Sequence, residues 1–155
     1  MTLSQEIAFE KLKKYCAYQD RCHSEVRTKL ISIKIYGDDL EEIITELIKE
    51  NFLNEERYAR SYCRGKFRIK RWGKNKIKLN LYKKRVSEYC IRKGLEEIDE
   101  EEYIQTLEQL VDKTILKYDD LSDVLKIDKT IKYVMSRGYE PPLIYNYIKV
   151  IENRN

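Results

Sequence analysis

Apolar residues recur along the chain at the spacing of amphipathic helices, and the same spacing returns about every fifty residues. The pattern that begins at Val26 reappears 51 positions later at Ile77, and a further 53 positions later at Thr130. Such a match over two helices and the turn between them is difficult to obtain by chance. The predicted core positions of the three units are Val26, Leu30, Ile35, Leu40, Ile43, Ile44 and Leu47; Ile77, Leu81, Val86, Ile91, Gly94, Leu95 and Ile98; and Thr130, Val134, Tyr139, Ile144, Tyr147, Ile148 and Ile151.

Each unit has the pattern of three short helices. In the first unit we predict one helix from Ser4 to Tyr18, a second with Ser24 as its N-cap, and a third that opens at Asp38. None of these helices is long or apolar enough to be stable alone. Each unit must therefore bury its apolar face partly against its neighbours, as in a tandem array.

The third unit follows an acidic run at residues 96–102, whose carboxylates suit the positive end of a helix dipole. Gly138 suits the end of a helix, and the pair Pro141 and Pro142 suits the start of the next one. The sequence thus predicts an all-α array of three three-helix repeats. Their expected bounds are 1–53, 54–98 and 99–155.

The small net charge of +4 hides a strong polarisation of charge along the chain. The stretch from Arg57 to Ser87 contains 13 basic residues and neither Asp nor Glu, whereas the rest of the chain has 18 basic residues against 27 acidic ones. Like charges crowded this closely repel one another unless an anion lies against them. The stretch therefore predicts contact with an anion, and a merely solvated charged face is the alternative.

The basic residues of this stretch are ordered. On a helix that starts after the Asn54 cap, five arginines fall on one stripe, while Tyr58, Tyr62 and Ile69 fall on the opposite, core-facing side. Trp72 has two interpretations, a core plug between repeats, which we favour, or an exposed platform for a base or a partner side chain. The candidate DNA- or filament-binding residues are Arg57, Arg60, Arg64, Arg68, Arg71, Trp72, Lys74, Lys76, Lys78, Lys83 and Arg85.

Catalytic and metal chemistry find little support in the sequence. His23 is the only histidine, and Cys16, Cys22, Cys63 and Cys90 show no paired spacing, so neither a catalytic nucleophile nor a metal site is predicted. We find no glycine-rich phosphate loop, no signal peptide and no apolar run of membrane-spanning length. We expect a cytoplasmic, monomeric protein that is not an enzyme, with reduced thiols, no cofactor, no metal and no membrane contact.

Three segments of the chain resemble the RecX family of recombinase regulators. The first unit does so through Ala8, Leu12, Tyr15, Arg21, Ser24, Glu25, Val26 and Leu30. The most specific segment is Leu47-x4-Phe52-Leu53-Asn54-Glu55-x-Arg57-Tyr58-Ala59-x2-Tyr62, and it continues as Arg64-x7-Trp72-Gly73-x2-Lys76-Ile77-x3-Leu81. The chain departs from the family where Asn54 replaces an acidic residue and where Lys34 and Arg85 replace glycines, changes that bear on turn geometry more than on function.

The resemblance implies an elongated, curved stack of three-helix repeats that binds the RecA recombinase filament on single-stranded DNA. It implies that the chain modulates the recombinase and coprotease activities of the filament, in most cases by inhibition. A different class, a general nucleic-acid-binding helical protein acting without a recombinase, is distinguished by equal affinity for bare DNA and for the filament. A nuclease accessory protein with hidden carboxylate chemistry is a third hypothesis, which metal-dependent turnover would support.

Overall fold

The structure is a computed structural model and describes residues 1–154. Within that range the chain forms nine α-helices and no β-strand, which confirms the predicted all-α class. The helices follow one another as three tandem three-helix repeats. Their bounds are α1 Leu3–Tyr18, α2 His23–Ser32, α3 Gly37–Lys49, α4 Glu55–Arg68, α5 Lys74–Lys83, α6 Glu88–Leu95, α7 Glu100–Lys117, α8 Asp123–Ser136 and α9 Pro141–Asn153.

The second helix of every repeat ends in the same turn. Lys34, Arg85 and Gly138 follow α2, α5 and α8 with left-handed φ values of 67°, 60° and 102°. In each turn that residue's amide donates to the carbonyl three residues back, and the next amide donates to the carbonyl five residues back, as in a Schellman motif. Lys34 and Arg85 adopt this conformation without a glycine at a cost of about 1 kcal/mol each. The shared turn confirms the register that the apolar spacing predicts.

The predicted core positions lie inside the protein in all three repeats. Most are buried, and Leu30, Leu81 and Ile144 are completely inaccessible to solvent. Ile35, Leu95 and Ile151 are half-buried. The apolar spacing therefore identifies the packed faces of the second and third helices of each repeat correctly.

Packing contacts divide the chain into two compact units. Unit 1 consists of Met1–Tyr62 and Leu81–Leu95, and unit 2 consists of Cys63–Asn80 and the chain from Glu96 onward. Both units thus draw on the predicted second repeat. The repeat bounds 1–53, 54–98 and 99–155 rest on sequence equivalence rather than on contacts, and they stay a prediction.

In unit 1, the start of α2 differs from its prediction. The helix begins at His23 with Cys22 as N-cap, and the Cys22 amide donates to the Glu25 carboxylate at 3.1 Å. Ser24, the predicted N-cap, lies in the first turn and donates its hydroxyl to the carbonyl of Lys84 at 2.7 Å. Because Glu25 already satisfies the helix start, the Ser24 hydroxyl links α2 to the turn that follows α5.

The core of unit 2 is built around aromatic rings. Tyr103 stacks on Tyr139 with ring centroids 5.1 Å apart, and Phe67 packs on Tyr103 at 5.7 Å. The Tyr103 hydroxyl donates to the Glu140 carboxylate and accepts from the Lys74 amide at 2.9 Å. Since burial and the Glu140 bond both raise the pKa of Tyr103, its hydroxyl stays protonated and keeps this donor role. These aromatic residues fix the start of α5 against α7 and α9.

Candidate nucleic-acid interface

The predicted site residues divide between the two units. Unit 1 contains Arg57, Arg60, Lys83 and Arg85. Unit 2 contains the remaining candidates, which are Arg64, Arg68, Arg71, Trp72, Lys74, Lys76 and Lys78.

Arg57 and Arg60 in unit 1 have partners within the chain. The Arg57 Nε donates to Asp20 at 2.8 Å, and its Nη2 donates to the carbonyls of Asn51 and Phe52 at 3.1 and 3.3 Å. Arg60 pairs with Glu56 one turn earlier on α4, at 3.1 Å. Arg57 therefore ties the start of α4 to the preceding turn, a structural role beside its predicted binding role.

The start of α4 is capped as the sequence predicts. The Asn54 side chain accepts from the Arg57 amide at 3.0 Å, and Glu55 and Glu56 occupy the first turn. Asn54 is therefore the N-cap of α4, as predicted.

In unit 2, the acidic run supplies carboxylates to two of the candidate residues. Arg64 pairs with Glu97 at 2.7 Å, and Lys74 pairs with Glu100. Asp99 caps α7 by accepting from the Glu102 amide at 2.9 Å, as the helix-start interpretation predicts. The run therefore serves both the helix dipole and neutralisation of the basic stretch, and the second role was not apparent from the sequence.

Beyond Arg64 the arginine stripe has no such partners. Arg68 and Arg71 are exposed, and within residues 1–154 neither guanidinium has a hydrogen-bond or ion-pair partner. They border a groove of about 190 Å³ whose other lining includes Gln105 and Gln109 of α7. Glu102 lines the same groove without forming an ion pair with either arginine, so the two guanidinium groups stay exposed beside one carboxylate and two amides.

Trp72 is half-buried. Its side chain is therefore neither a fully buried core plug nor a fully exposed platform, the two interpretations that the sequence allows. The Nζ atoms of Lys66 and Lys76 lie over its ring, at 4.9 and 4.7 Å from the centroid. We call the segment from Lys66 to Lys76, which carries Arg68, Arg71 and Trp72 between them, the basic turn. It combines cationic side chains with one partly accessible aromatic ring, all in unit 2.

Ile69 does not face the core as predicted. Its side chain is 80% exposed. Since α4 ends at Arg68, Ile69 lies in the turn beyond the helix, where the helical phase no longer applies.

The backbone of residues 70–75 is held by the third repeat. The Tyr139 hydroxyl donates to the Arg71 carbonyl at 2.9 Å, and the Arg137 guanidinium donates to the carbonyl of Lys70. Two backbone bonds join the segments directly: the Gly73 amide donates to the Arg137 carbonyl at 2.8 Å, and the Asn75 amide donates to the Gly138 carbonyl at 2.9 Å. These bonds hold Arg71 at a φ of 57°, so the basic turn has a fixed backbone.

Gly73 and Gly138 are required where these segments meet. A Cβ at Gly73 would overlap the backbone of Gly138, and a Cβ at Gly138 would lie 2.8 Å from the Gly73 carbonyl oxygen. Gly138 also has the positive φ of its helix end. Close backbone approach, rather than a phosphate loop, explains Gly73.

The other candidates have varied surroundings. Lys74 lies over the Tyr103 ring at 4.7 Å in addition to its pair with Glu100. Lys78 is half-buried, Lys83 is exposed, and Arg85 is the exposed residue of the turn after α5. Their predicted binding roles, like those of the basic turn, stay predictions.

The thiols lie mainly in the core. Cys16, Cys22 and Cys63 are buried and unpaired, and Cys90 is half-buried. Burial raises the pKa of Cys16 to about 11 and that of Cys63 to about 12, where the Glu97 carboxylate adds to the effect. These thiols are therefore protonated and unreactive at neutral pH.

Residues 1–154 contain neither a cluster of metal-ligating side chains nor a membrane-spanning helix. No group of three or more His, Cys, Asp or Glu side chains is placed to hold a metal ion. In the same range, no helix has the length and apolar character that crossing a bilayer requires.

The fold and the basic turn define a class, a helical-repeat protein with a preformed cationic surface. The family model for the RecX second three-helix domain matches residues 54–95. The regulatory protein RecX of Clostridium perfringens (strain 13 / Type A) is 32% identical over 136 residues, which cover 86% of this chain and 63% of that protein. The regulatory protein RecX of Lactococcus lactis subsp. lactis (strain IL1403) is 31% identical over 128 residues, covering 81% and 47%.

Similarity to solved structures extends over almost the whole chain. The crystal structure of RecX from Lactobacillus salivarius matches with a TM-score of 0.86 and 27% identity, covering 96% of both chains. The chain belongs to the RecX family, whose members are regulatory proteins rather than enzymes. It spans 63% and 47% of the length of the two relatives described above.

Proposed function

We propose that this chain binds a RecA-type recombinase filament assembled on single-stranded DNA and inhibits its ATPase, strand-exchange and coprotease activities. The observation that carries the proposal is membership of a family of regulatory proteins, which matches this chain through all three repeats. The accessible charge of the basic turn supports it, because a filament on DNA offers both phosphate and acidic protein surfaces.

The proposed inhibitor acts as a cytoplasmic monomer that contacts more than one recombinase protomer. Contacts spread over several repeats add through effective concentration, so weak local contacts give a tight complex. A fragment of residues 54–98 is unsuitable for testing this, because it lacks Arg137, Gly138 and Tyr139, which hold the basic turn. Full-length variants are the appropriate tools.

The test is a strand-exchange assay with a purified RecA-type recombinase, accompanied by ATPase and coprotease assays. We expect the intact chain to inhibit all three activities, and we expect inhibition to weaken as salt is raised. If all three activities are unaffected at saturating chain, the proposed function is wrong.

A second function, direct binding of nucleic acid without a recombinase, is favoured by the unpartnered guanidinium groups of Arg68 and Arg71. Comparing affinities distinguishes the two functions. Equal affinity for bare single-stranded DNA and for the filament supports general nucleic-acid binding, whereas clearly higher affinity for the filament supports the regulator.

A further inference from the structure

One kind of contact joins a repeat to the next repeat, and it occurs twice along the chain. Its first occurrence lies within unit 1, where the start of α2 packs on the second repeat. The His23 amide donates to the carboxylate of Glu55, in the first turn of α4, at 3.2 Å. The Ser24 hydroxyl donates to the carbonyl of Lys84, in the turn after α5, at 2.7 Å.

The second occurrence lies within unit 2, where the start of α5 packs on the third repeat. Lys74 and Asn75 lie 51 positions after the two donor residues of α2. The Lys74 amide donates to the Tyr103 hydroxyl at 2.9 Å, and the Asn75 amide donates to the carbonyl of Gly138, in the turn after α8, at 2.9 Å. The second and third repeats therefore each receive the start of the preceding second helix at the turn after their own second helix.

The receiving surface of the first repeat is left uncovered. By the spacing of 51 residues, Ile7 is equivalent to Tyr58 and Ile35 is equivalent to Val86. Ile7 is 51% exposed, whereas Tyr58 is 6% exposed. Ile35 is half-buried, whereas Val86 is buried. The first repeat thus exposes apolar positions that the contact between repeats buries in the second repeat.

A groove of about 280 Å³ lies at this uncovered surface, and we call it the α1–α2 groove. Its lining includes Ile7, Ile33 and Ile35, together with Lys11 and Lys34. No acidic residue of the described chain lines the groove, and neither lysine has an ion pair within residues 1–154. In the same range the carbonyls of Ile33 and Lys34 accept no hydrogen bond. The groove therefore fits a helix start that combines apolar side chains, negative charge and free amides.

The start of α8 in the third repeat has these properties. Like α2 and α5, α8 is the second helix of its repeat, and Val124 and Leu125 in its first turn are 79% and 50% exposed. Residues 118–125 contain three aspartates and no basic residue. Lys126 pairs with two of these aspartates, and Asp120 has no ion pair in the described chain. The amides of Asp123 and Val124 are free because they begin the helix.

We propose that copies of this chain associate head to tail, with the start of α8 of one copy in the α1–α2 groove of the next. The apolar side chains at the start of α8 cover the isoleucines of the groove, and its aspartates approach the two lysines. Its free amides donate to the carbonyls of Ile33 and Lys34, as the start of α5 does to the turn after α8. The contact is heterologous, since the two surfaces that meet are different.

The contact between separate copies is weaker than its counterparts within the chain. Covalent connection holds neighbouring repeats at an effective concentration of the order of mM, which separate copies in dilute solution lack. The dilute chain is therefore a monomer, as in the proposed function, and copies associate where they are concentrated or lie side by side on a repetitive partner. This inference goes beyond the proposed function and needs neither a recombinase nor DNA.

Sedimentation velocity of the purified full-length chain measures the association. We expect a monomer at about 20 µM and a weight-average mass at least about 1.5-fold higher at about 500 µM, because the contact lacks the covalent connection. Raising the salt to about 0.5 M should lower the mass again, since charge complementarity contributes to the contact.

Substitutions on each surface should weaken the association separately. Ile7→Glu places a carboxylate in the α1–α2 groove, and Val124→Gln with Leu125→Gln removes the apolar side chains at the start of α8. We expect each variant to associate about 10-fold more weakly or worse. The matched control is Ile48→Glu near the end of α3, because Ile48 is another isoleucine of unit 1 with similar exposure, 46%. That control should associate as the unmodified chain does.

Mixing the two variants distinguishes a head-to-tail contact from a symmetric one. The groove variant keeps an intact start of α8, and the other variant keeps an intact groove. An equimolar mixture should therefore form a dimer with one copy of each variant and grow no further. In a symmetric contact through either surface, the variant that keeps that surface would associate with itself.

The proposal is overturned if the chain stays monomeric at about 500 µM, if folded variants associate as the unmodified chain does, or if the mixture forms no dimer. A variant that fails to fold by circular dichroism is replaced by a milder one, Lys11→Glu for the groove or Val124→Gln alone for the start of α8. If Ile7→Glu abolishes inhibition of the recombinase while the unmodified chain never self-associates, the groove belongs to another partner and the proposal is wrong. A chain that self-associates and leaves the recombinase unaffected keeps this inference and loses the proposed function.

Discussion

The arginines predicted to form one stripe look alike in sequence and differ in structure. Arg71 is not part of the stripe, because α4 ends at Arg68 and Arg71 has a φ of 57°. Arg57, Arg60 and Arg64 each pair with a carboxylate of the same chain. Arg68 and Arg71 have no such partner among residues 1–154. A count of basic residues therefore overstates the positive charge that a partner would meet, and the accessible charge is concentrated after Arg64.

The difference has a simple origin in chain topology. Asp20 and Glu97 lie close to the first part of α4 and Glu56 belongs to α4 itself, so each supplies a carboxylate to one arginine. Arg68 and Arg71 instead border a groove lined by Glu102, Gln105 and Gln109, and neither forms an ion pair there. Partly exposed ion pairs contribute only about 0–1 kcal/mol each to stability. Their larger effect here is to relieve repulsion within the stripe. The two ends of the stripe should therefore respond oppositely to mutation.

The largest expected effect is on DNA affinity. We expect the double substitution of Arg68→Glu and Arg71→Glu to weaken binding of single-stranded DNA about 100-fold, because two charge-assisted contacts of about 1.5 kcal/mol each are lost. The slope of log affinity against log salt should become shallower by about 1.4, since each phosphate contact contributes roughly 0.7. Fluorescence anisotropy over a salt series measures both quantities.

The control for this variant reverses the same number of charges elsewhere. Lys11 and Lys14 are exposed on α1, and Lys11→Glu with Lys14→Glu gives the same change in net charge. We expect at most about a 3-fold loss for this control. If both double variants lose affinity equally, binding depends on net charge and not on the basic turn.

The second effect concerns stability at the other end of the stripe. Arg57→Ala should lower the free energy of unfolding by about 1–2 kcal/mol, because the Asn51 and Phe52 carbonyls and Asp20 lose a donor. DNA affinity should change less than about 3-fold. Urea denaturation followed by circular dichroism gives the free energy. Arg68→Ala serves as the control, with a change within about 0.5 kcal/mol; the opposite ranking of the two variants would refute the comparison.

The smallest effect tests whether the third repeat positions the basic turn. Tyr139→Phe removes the hydroxyl that holds the Arg71 carbonyl, and we expect about a 5-fold loss of DNA affinity. Burial raises the pKa of Tyr139 to about 12, so the hydroxyl remains a donor throughout the neutral range. Tyr147→Phe removes a comparable hydroxyl bond, to Asp112 at 2.8 Å, and should leave affinity unchanged.

Both tyrosine variants should lose about 1 kcal/mol of stability, so stability does not separate them. Equal affinity of the two variants would show that the Arg71 backbone does not need this support.

The sequence predicts the repeats well because the signal is local and periodic. Val26, Ile77 and Thr130 mark equivalent helix positions, and each is completely buried. The turns at Lys34 and Arg85 follow from the resemblance, since both occupy positions where a glycine is usual, and both have positive φ. Packed faces and helix ends can be predicted from such patterns without knowledge of the tertiary structure.

The pairing of the basic residues could not be predicted in this way. Arg57 meets Asp20 and Arg64 meets Glu97 across sequence separations of 37 and 33 residues, and no periodicity connects them. Ile69 was placed in the core and Arg71 on the stripe because the predicted helix extended to Arg71, whereas α4 ends at Arg68. The resemblance points to Trp72 and Gly73, but the lysines over the ring and the approach of Gly138 are tertiary features.

The contact between Gly73 and Gly138 has a consequence for the order in which the protein is made. A ribosome synthesises the basic stretch about 65 residues before it reaches Gly138, and domains generally fold in order of synthesis. Until Arg137, Gly138 and Tyr139 emerge, the nascent segment 70–75 lacks the bonds that fix its backbone. The basic turn therefore matures only after the third repeat emerges, and a premature stop codon before that repeat would leave the positive charge in place without a fixed backbone.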